Sequence, residues 1–68
     1  MKNKVKEIRE QHSLTQEQLA QKIGVSRQSI ISIEKGYYVP TTVLALKIAG
    51  VLKVTTEELF TLEKEDWK

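Results

Sequence analysis

The chain has 68 residues and no cysteine, which excludes disulfide bridges and thiolate metal sites. A chain this short buries about 60% of the surface that its unfolded form exposes, so we expect one domain over residues 1–68. Hydrophobic residues make up 40% and charged residues 29% of the sequence, which is typical of a globular protein and excludes a disordered chain. The longest apolar run is too short to cross a bilayer and no secretory signal is visible, so the expected location is the cytoplasm.

The net charge of +2 is unevenly distributed along the chain. Residues 1–56 contain nine Lys or Arg and four Glu, a net charge of +5, whereas residues 57–68 contain two Lys and five acidic residues, a net charge of −3. The basic part favours a polyanionic partner such as nucleic acid, although a solvated basic surface has the same excess. Residues 61–68 are expected to form a short acidic C-terminal tail.

The apolar residues recur at helical spacing throughout, and no sustained alternation typical of strands is present. Thr15 with Gln18, and Thr55 with Glu58, have the spacing of capping boxes, and Ser26 is a third predicted helix cap. The pattern therefore predicts an all-α protein with five helices, at residues 3–11, 16–23, 27–35, 42–52 and 56–60.

A short connection joins the second and third predicted helices. Gly24 is expected to end the second helix, as Gly36 ends the third, and Ser26 begins the third after one further residue. So short a link holds two helices at a steep angle, which is typical of a helix-turn-helix. Helical periodicity places Ser26, Ser29, Ile30 and Ile33 on the inner face of the third helix and Arg27, Gln28, Ile31, Ser32 and Lys35 on its outer face.

The segments LTQEQLA at residues 14–20, GVSRQSI at 24–30 and IEKG at 33–36 resemble the Cro and phage-repressor type of helix-turn-helix, also called the XRE family. The resemblance covers residues 3–60 and is to compact members that consist of little beyond the DNA-binding domain. It implies a five-helix lambda-repressor-like fold with no enzyme activity, cofactor or evident small-molecule effector. It also implies a homodimer on double-stranded DNA, with the two third helices in major grooves about 34 Å apart on a near-palindromic operator.

The resemblance also assigns roles to individual residues. Arg27, Gln28 and Ser32 match base-reading positions, and Ile31 can meet a thymine methyl group. Arg9 and Glu34 match a structural ion pair. The residues expected at phosphates are Gln16, Ser26, Lys35, Tyr37, Tyr38 and Thr42.

Other readings remain open at several of these positions. The two tyrosines can instead cover the edge of the core. His12 lies in a polar turn without a second metal ligand, and neither Ser13 nor Ser26 has a histidine partner at nucleophile spacing, so neither a metal site nor a catalytic set is predicted. Four residues depart from the family pattern, namely Thr42, Gly50, Lys53 and Thr56.

Three apolar residues near the C-terminus, Phe60, Leu62 and Trp67, exceed what so small a body can bury. They predict a dimer interface, and the alternative is a tail folded onto its own core. Together these features predict a sequence-specific transcriptional regulator, with repression as the expected mode of action. The alternative function is a protein-interaction module, such as an antitoxin or anti-repressor, in which DNA binding is secondary.

Overall fold

A computed structural model describes all 68 residues and confirms the all-α class with five helices. The bounds predicted for the second and fourth helices are confirmed, and the other three helices are one or two residues shorter than predicted. The α-helices are α1 (Val5–Gln11), α2 (Gln16–Ile23), α3 (Arg27–Glu34), α4 (Thr42–Leu52) and α5 (Thr56–Leu59), and a short 3₁₀ helix follows at Lys64–Trp67.

A small sheet, which the sequence did not predict, joins the two ends of the chain. Strand β1 (Lys2–Asn3) pairs antiparallel with strand β2 (Phe60–Thr61). Strands of two residues are too short to show an alternating pattern, so the helical spacing around them dominated the prediction. The pairing explains why the first helix begins after residue 4 and the fifth ends before residue 60.

Side-chain caps fix the beginnings of the helices that were predicted to have them. Thr15 Oγ1 accepts a hydrogen bond from the Gln18 N–H at 3.0 Å, and the Gln18 side chain accepts one from the Thr15 N–H at 2.9 Å. In the second predicted capping box, only one of the two hydrogen bonds forms. Thr55 Oγ1 accepts from the Glu58 N–H at 3.1 Å, but the exposed Glu58 carboxylate makes no return bond.

Four helices end at a residue in the left-handed backbone region. Gly24 and Gly36 were predicted to do so, and both have φ near +78°. Lys53, flagged as an unusual helix end, and Ser13 have φ of 58° and 57°. A residue with a Cβ in this region costs about 1 kcal/mol, so α1 and α4 end less favourably than α2 and α3.

One apolar core holds the helices together, and all five contribute to it. The small residue Ala20 is buried within it, and α2 packs against both α3 and α4. None of the helices combines the length and the hydrophobicity that a membrane span requires. The ten buried apolar residues are Val5, Leu19, Ala20, Ile23, Ile30, Ile33, Ile48, Ala49, Leu52 and Leu59.

Candidate nucleic-acid interface

Helix α3 is fixed at its N-terminal end by its cap. Ser26 Oγ accepts a hydrogen bond from the Ser29 N–H at 3.2 Å, and the two serine hydroxyl oxygens lie 3.1 Å apart. On the buried side of the helix, Ile30 and Ile33 lie in the core. The helix is therefore held firmly while its opposite side faces solvent.

A buried ion pair holds the C-terminal end of α3 to α1. Arg9 Nε donates to Glu34 Oε2 at 2.7 Å, and Arg9 Nη2 lies 3.4 Å from Glu34 Oε1. Arg9 Nη1 also donates to the Leu14 carbonyl at 2.7 Å. Both ionic side chains are less than a tenth exposed. A buried, hydrogen-bonded pair of this kind fixes position, because removal of one partner leaves the other charge desolvated.

Gln16, expected at a phosphate, takes part in the same network. Its amide Nε2 donates to Glu34 Oε1 at 3.1 Å. Because a primary amide has two N–H donors, one of them remains for another acceptor. Gln16 thus links the first residue of α2 to the last residue of α3.

Asn3 is a supporting residue that sequence reasoning missed. Its Nδ2 donates to the Ile33 carbonyl at 2.9 Å, and its Oδ1 accepts from the Val5 N–H at 3.2 Å. The β1–β2 pairing brings Asn3 to the end of α3, and no local sequence signal reports a contact that spans thirty residues. The N-terminal strand therefore supports the same helix as Arg9.

The outer side of α3 carries polar side chains that the protein does not use. Arg27, Gln28 and Lys35 are exposed, whereas Ile31 and Ser32 are half-buried. The side chains of Arg27, Gln28, Ser32 and Lys35 make no hydrogen bond or ion pair within the chain. Their donors and acceptors are available to an external partner.

The structure places Ser29 differently from the sequence prediction. Periodicity assigned it to the inner face, but it is half-buried and lines a shallow concavity together with Gln28 and Ser32. A helix of eight residues has only two turns, so a residue near its first turn can be at the edge of the core instead of inside it. The outer surface of α3 is correspondingly wider than predicted.

Three residues that follow α3 and were expected at phosphates, Tyr37, Tyr38 and Thr42, have different surroundings. Tyr37 is 81% exposed, whereas Tyr38 is 44% exposed and lines the concavity beside α3. Thr42, at the start of α4, lines a different groove with Leu46 and Phe60. Thr42 is therefore the one residue among the six expected at phosphates that lies in a mainly apolar groove.

The groove that holds Thr42 joins one residue of the predicted dimer interface, Phe60, to a residue that was not predicted, Leu46. Phe60 is half-buried against the core, while Leu62 and Trp67 are exposed. The exposed side of α4 adds two large apolar residues, Val43 at 65% and Leu46 at 58% exposure. The sequence pattern made no prediction for either residue, because apolar spacing cannot tell a core-facing stripe from an outward one.

The acidic tail is attached to the N-terminus by ion pairs. The Met1 amino group lies 2.9 Å from Glu63 Oε1 and 3.2 Å from Asp66 Oδ2. Hydrogen bonds to Glu63 and Asp66 raise the pKa of that amino group. The pKa of Asp66 is lowered, first by the hydrogen bond from the Glu63 backbone N–H and then by the amino group. The tail is thus attached beside β1 instead of folding across the core.

His12 and the other possible metal ligands form no cluster. The His12 Nδ1 lies 2.9 Å from the carbonyl of Ile8 in α1, the helix that ends one residue before it. No group of three or more His, Asp or Glu side chains is arranged to hold a metal ion.

Comparison with known proteins shows that the chain matches an established protein family. The helix-turn-helix family model matches residues 5–59, and the chain belongs to that family, of the Cro and phage-repressor (XRE) type. It is 54% identical to the uncharacterized HTH-type transcriptional regulator MJ0272 of Methanocaldococcus jannaschii, over 97% of this chain and all of that protein. It is 48% identical to the uncharacterized HTH-type transcriptional regulator YgzD of Bacillus subtilis, with the same coverage.

A solved structure is also similar to this chain. The restriction-modification controller protein C.AhdI from Aeromonas hydrophila superimposes with a TM-score of 0.76 at 34% identity, covering 82% of this chain and 85% of that one. The protein is therefore a DNA-binding transcriptional regulator of the helix-turn-helix class and not an enzyme.

Proposed function

We propose that the protein recognises a specific, near-palindromic operator as a homodimer, with α3 of each subunit in the major groove. One observation carries this proposal. Helix α3 is fixed at both ends by Ser26 and by the Arg9–Glu34 pair, yet the polar side chains on its outer surface have no partner within the chain. A rigid helix with free donors and acceptors suits the reading of base edges.

The chemistry of the outer side chains fits bases in the major groove. The Arg27 guanidinium can donate two hydrogen bonds to guanine O6 and N7, and the Gln28 amide can pair with adenine N6 and N7. Ile31 offers apolar contact for a thymine methyl group, and the Ser32 hydroxyl can donate or accept. These four residues form the proposed reading surface.

Other residues are proposed to hold the phosphate backbone. Gln16 retains one amide N–H beyond its bond to Glu34, and it opens a helix whose N-terminal amides attract anions. Lys35 contributes an unpaired ammonium group at the other end of α3. Ser26 and Tyr37 can add hydroxyl contacts, and the separate position of Thr42 makes its contact the least supported.

The proposed dimer uses the apolar side of the molecule. Exposed Leu62 and Trp67, together with Val43 and Leu46 of α4, offer the apolar contact that subunit interfaces contain and that DNA does not provide. A two-fold dimer matches the two-fold symmetry of a near-palindromic operator. A dimer on such a site covers about two turns of DNA, so repression by exclusion of the transcription machinery is the proposed mode of action.

Selection of bound duplexes from a random library, followed by titration over a series of salt concentrations, tests this function. The expected result is a two-fold symmetric consensus and a log affinity that falls steeply with log salt, by about 0.9 per phosphate contact. No enriched sequence, or an affinity that hardly responds to salt, would contradict the proposal. The second of those outcomes would instead favour a protein-interaction module, which the exposed apolar side of α4 could serve.

A further inference from the structure

Two consecutive tyrosines follow α3, and the structure gives them different surroundings. Tyr37 is 81% exposed and lines no concavity. Tyr38 is 44% exposed and lines the concavity formed with Gln28, Ser29 and Ser32 on the outer side of α3. Two residues of the same type, expected to have the same role, therefore occupy distinct sites.

The end of α3 explains why the chain returns to the helix at Tyr38. The Gly36 N–H donates to the Ile33 carbonyl at 3.0 Å, and the Tyr37 N–H donates to the Ser32 carbonyl at 2.9 Å. Gly36 adopts φ of +79° between these bonds, which is the geometry of a Schellman turn. The turn reverses the chain at Gly36 and Tyr37, and the next residue, Tyr38, lies beside the helix.

The groups that line this concavity are neutral, and several of them are free. The hydroxyls of Ser26 and Ser29 lie within hydrogen-bond distance of one another. The Gln28 amide, the Ser32 hydroxyl and the Tyr38 hydroxyl have no partner within the chain. No charged residue lines the concavity.

This chemistry suits a base edge better than a phosphate. A phosphate oxygen only accepts hydrogen bonds, which a hydroxyl such as that of Ser26 can donate, but it is bound most strongly by cations. A base edge presents donors and acceptors together, and amide and hydroxyl groups can supply both. The free cation Lys35 instead lies in a separate concavity with Lys2, Asn3 and Gly36.

We propose that Tyr38 is a specificity-determining residue, whose hydroxyl extends the reading surface of Gln28 and Ser32 and does not bind phosphate. The proposal rests on the proposed function, because it needs α3 in the major groove. It assigns the two tyrosines opposite roles, with Tyr37 restricted to the backbone or to solvent.

Paired substitutions Tyr38→Phe and Tyr37→Phe test the assignment, since each removes one hydroxyl and keeps the ring. Affinity is measured for the selected operator and for scrambled duplex at several salt concentrations, with thermal unfolding as a check on folding. Tyr38→Phe should lower operator affinity about 3- to 10-fold, the effect of one hydrogen bond, with scrambled binding and the salt slope unchanged. Tyr37→Phe should leave the ratio of the two affinities within about 2-fold.

The double variant Tyr38→Phe with Ser32→Ala sharpens the test, because neighbours that read the same base should show non-additive losses. Equal losses on operator and scrambled DNA after Tyr38→Phe would overturn the proposal in favour of a phosphate contact. An unchanged operator affinity would overturn it in favour of no DNA contact. If the wild-type chain shows no operator preference, the proposed function fails first, and that result is distinguishable from a wild-type preference that survives Tyr38→Phe.

Discussion

The outer side of α3 is polar and the exposed side of α4 is apolar, although the two helices pack into the same small core. The α3 side presents Arg27, Gln28 and Lys35 without internal partners, on a helix fixed by caps and a buried ion pair. The α4 side presents Val43 and Leu46, which are more than half exposed. The difference supports the proposed division into two tasks, because polar and cationic groups suit DNA whereas exposed apolar groups suit another protein surface.

The largest expected effect on the free energy of unfolding comes from removing the Arg9–Glu34 ion pair, which holds α3 to α1. Arg9→Ala leaves the buried Glu34 carboxylate with Gln16 as its only side-chain partner, so the free energy of unfolding should fall by about 3 kcal/mol. Urea denaturation at low temperature measures this loss. Glu10→Ala, on the exposed side of the same helix, is the matched control and should change little.

A double-mutant cycle of Arg9→Ala with Glu34→Gln isolates the coupling between the two side chains. The two losses should be strongly non-additive because each variant removes the same contacts. Strictly additive losses would show that the pair does not hold α3.

The second effect separates the reading of bases from the holding of phosphates within the α3 side. Arg27→Ala or Gln28→Ala should weaken operator binding by about 1 to 3 kcal/mol and leave scrambled duplex less affected. Lys35→Ala should weaken both and reduce the salt slope by about one unit. Fluorescence titrations at several salt concentrations measure both quantities, and an equal loss on both duplexes for Arg27→Ala would reassign that residue to a phosphate.

The third expected effect is a loss of self-association when the exposed apolar surface of α4 is disrupted and α3 is left unchanged. Leu46→Asp places a charge in the exposed apolar surface and should weaken self-association at least about 10-fold, since an unpaired charge is costly to bury. The same change at exposed Lys47 is the control. Sedimentation of Leu46→Asp and Trp67→Asp shows whether α4 or the tail contributes more, and a wild-type chain that stays monomeric at high micromolar concentration would refute the dimer.

The smallest expected effect is on the free energy of unfolding and concerns two glycines, Gly36 after α3 and Gly50 within α4. Gly50 lies exposed within α4, and an added Cβ meets nothing within 4 Å, so Gly50→Ala should raise the free energy of unfolding by about 1 kcal/mol. Gly36 has equal space but φ of +79°, so Gly36→Ala should lower it by a similar amount. Shifts of the same sign in thermal unfolding would contradict this account of the helix ends.

The sequence predicted the helices well because their signals are local. Caps such as Thr15 and turns such as Gly24 act within four residues, and they were read without knowledge of distant contacts. The β1–β2 pairing and the bond from Asn3 to Ile33 depend on chain ends that meet only in the folded protein. No periodicity or capping rule reports such contacts.

For the candidate site, the sequence predicted residue types better than their surroundings. The outward positions of Arg27 and Gln28 follow from helical periodicity, and the structure has both exposed. The different positions of Tyr37 and Tyr38 depend on a turn of the backbone after Gly36, which residue type alone does not specify. The sequence offered no prediction for the exposed Val43 and Leu46, because an apolar stripe has the same spacing whether it faces the core or a partner.

The most direct test of the division between the two sides is a map of backbone amide NMR shifts during titration with the selected operator duplex. Shifts should concentrate at residue 16 and residues 26–38, at the start of α2 and along α3. Residues 43–50 and 62–67 should respond instead to protein concentration in the absence of DNA. Operator-dependent shifts centred on the exposed side of α4, with α3 unchanged, would contradict the assignment of α3 as the DNA-reading helix.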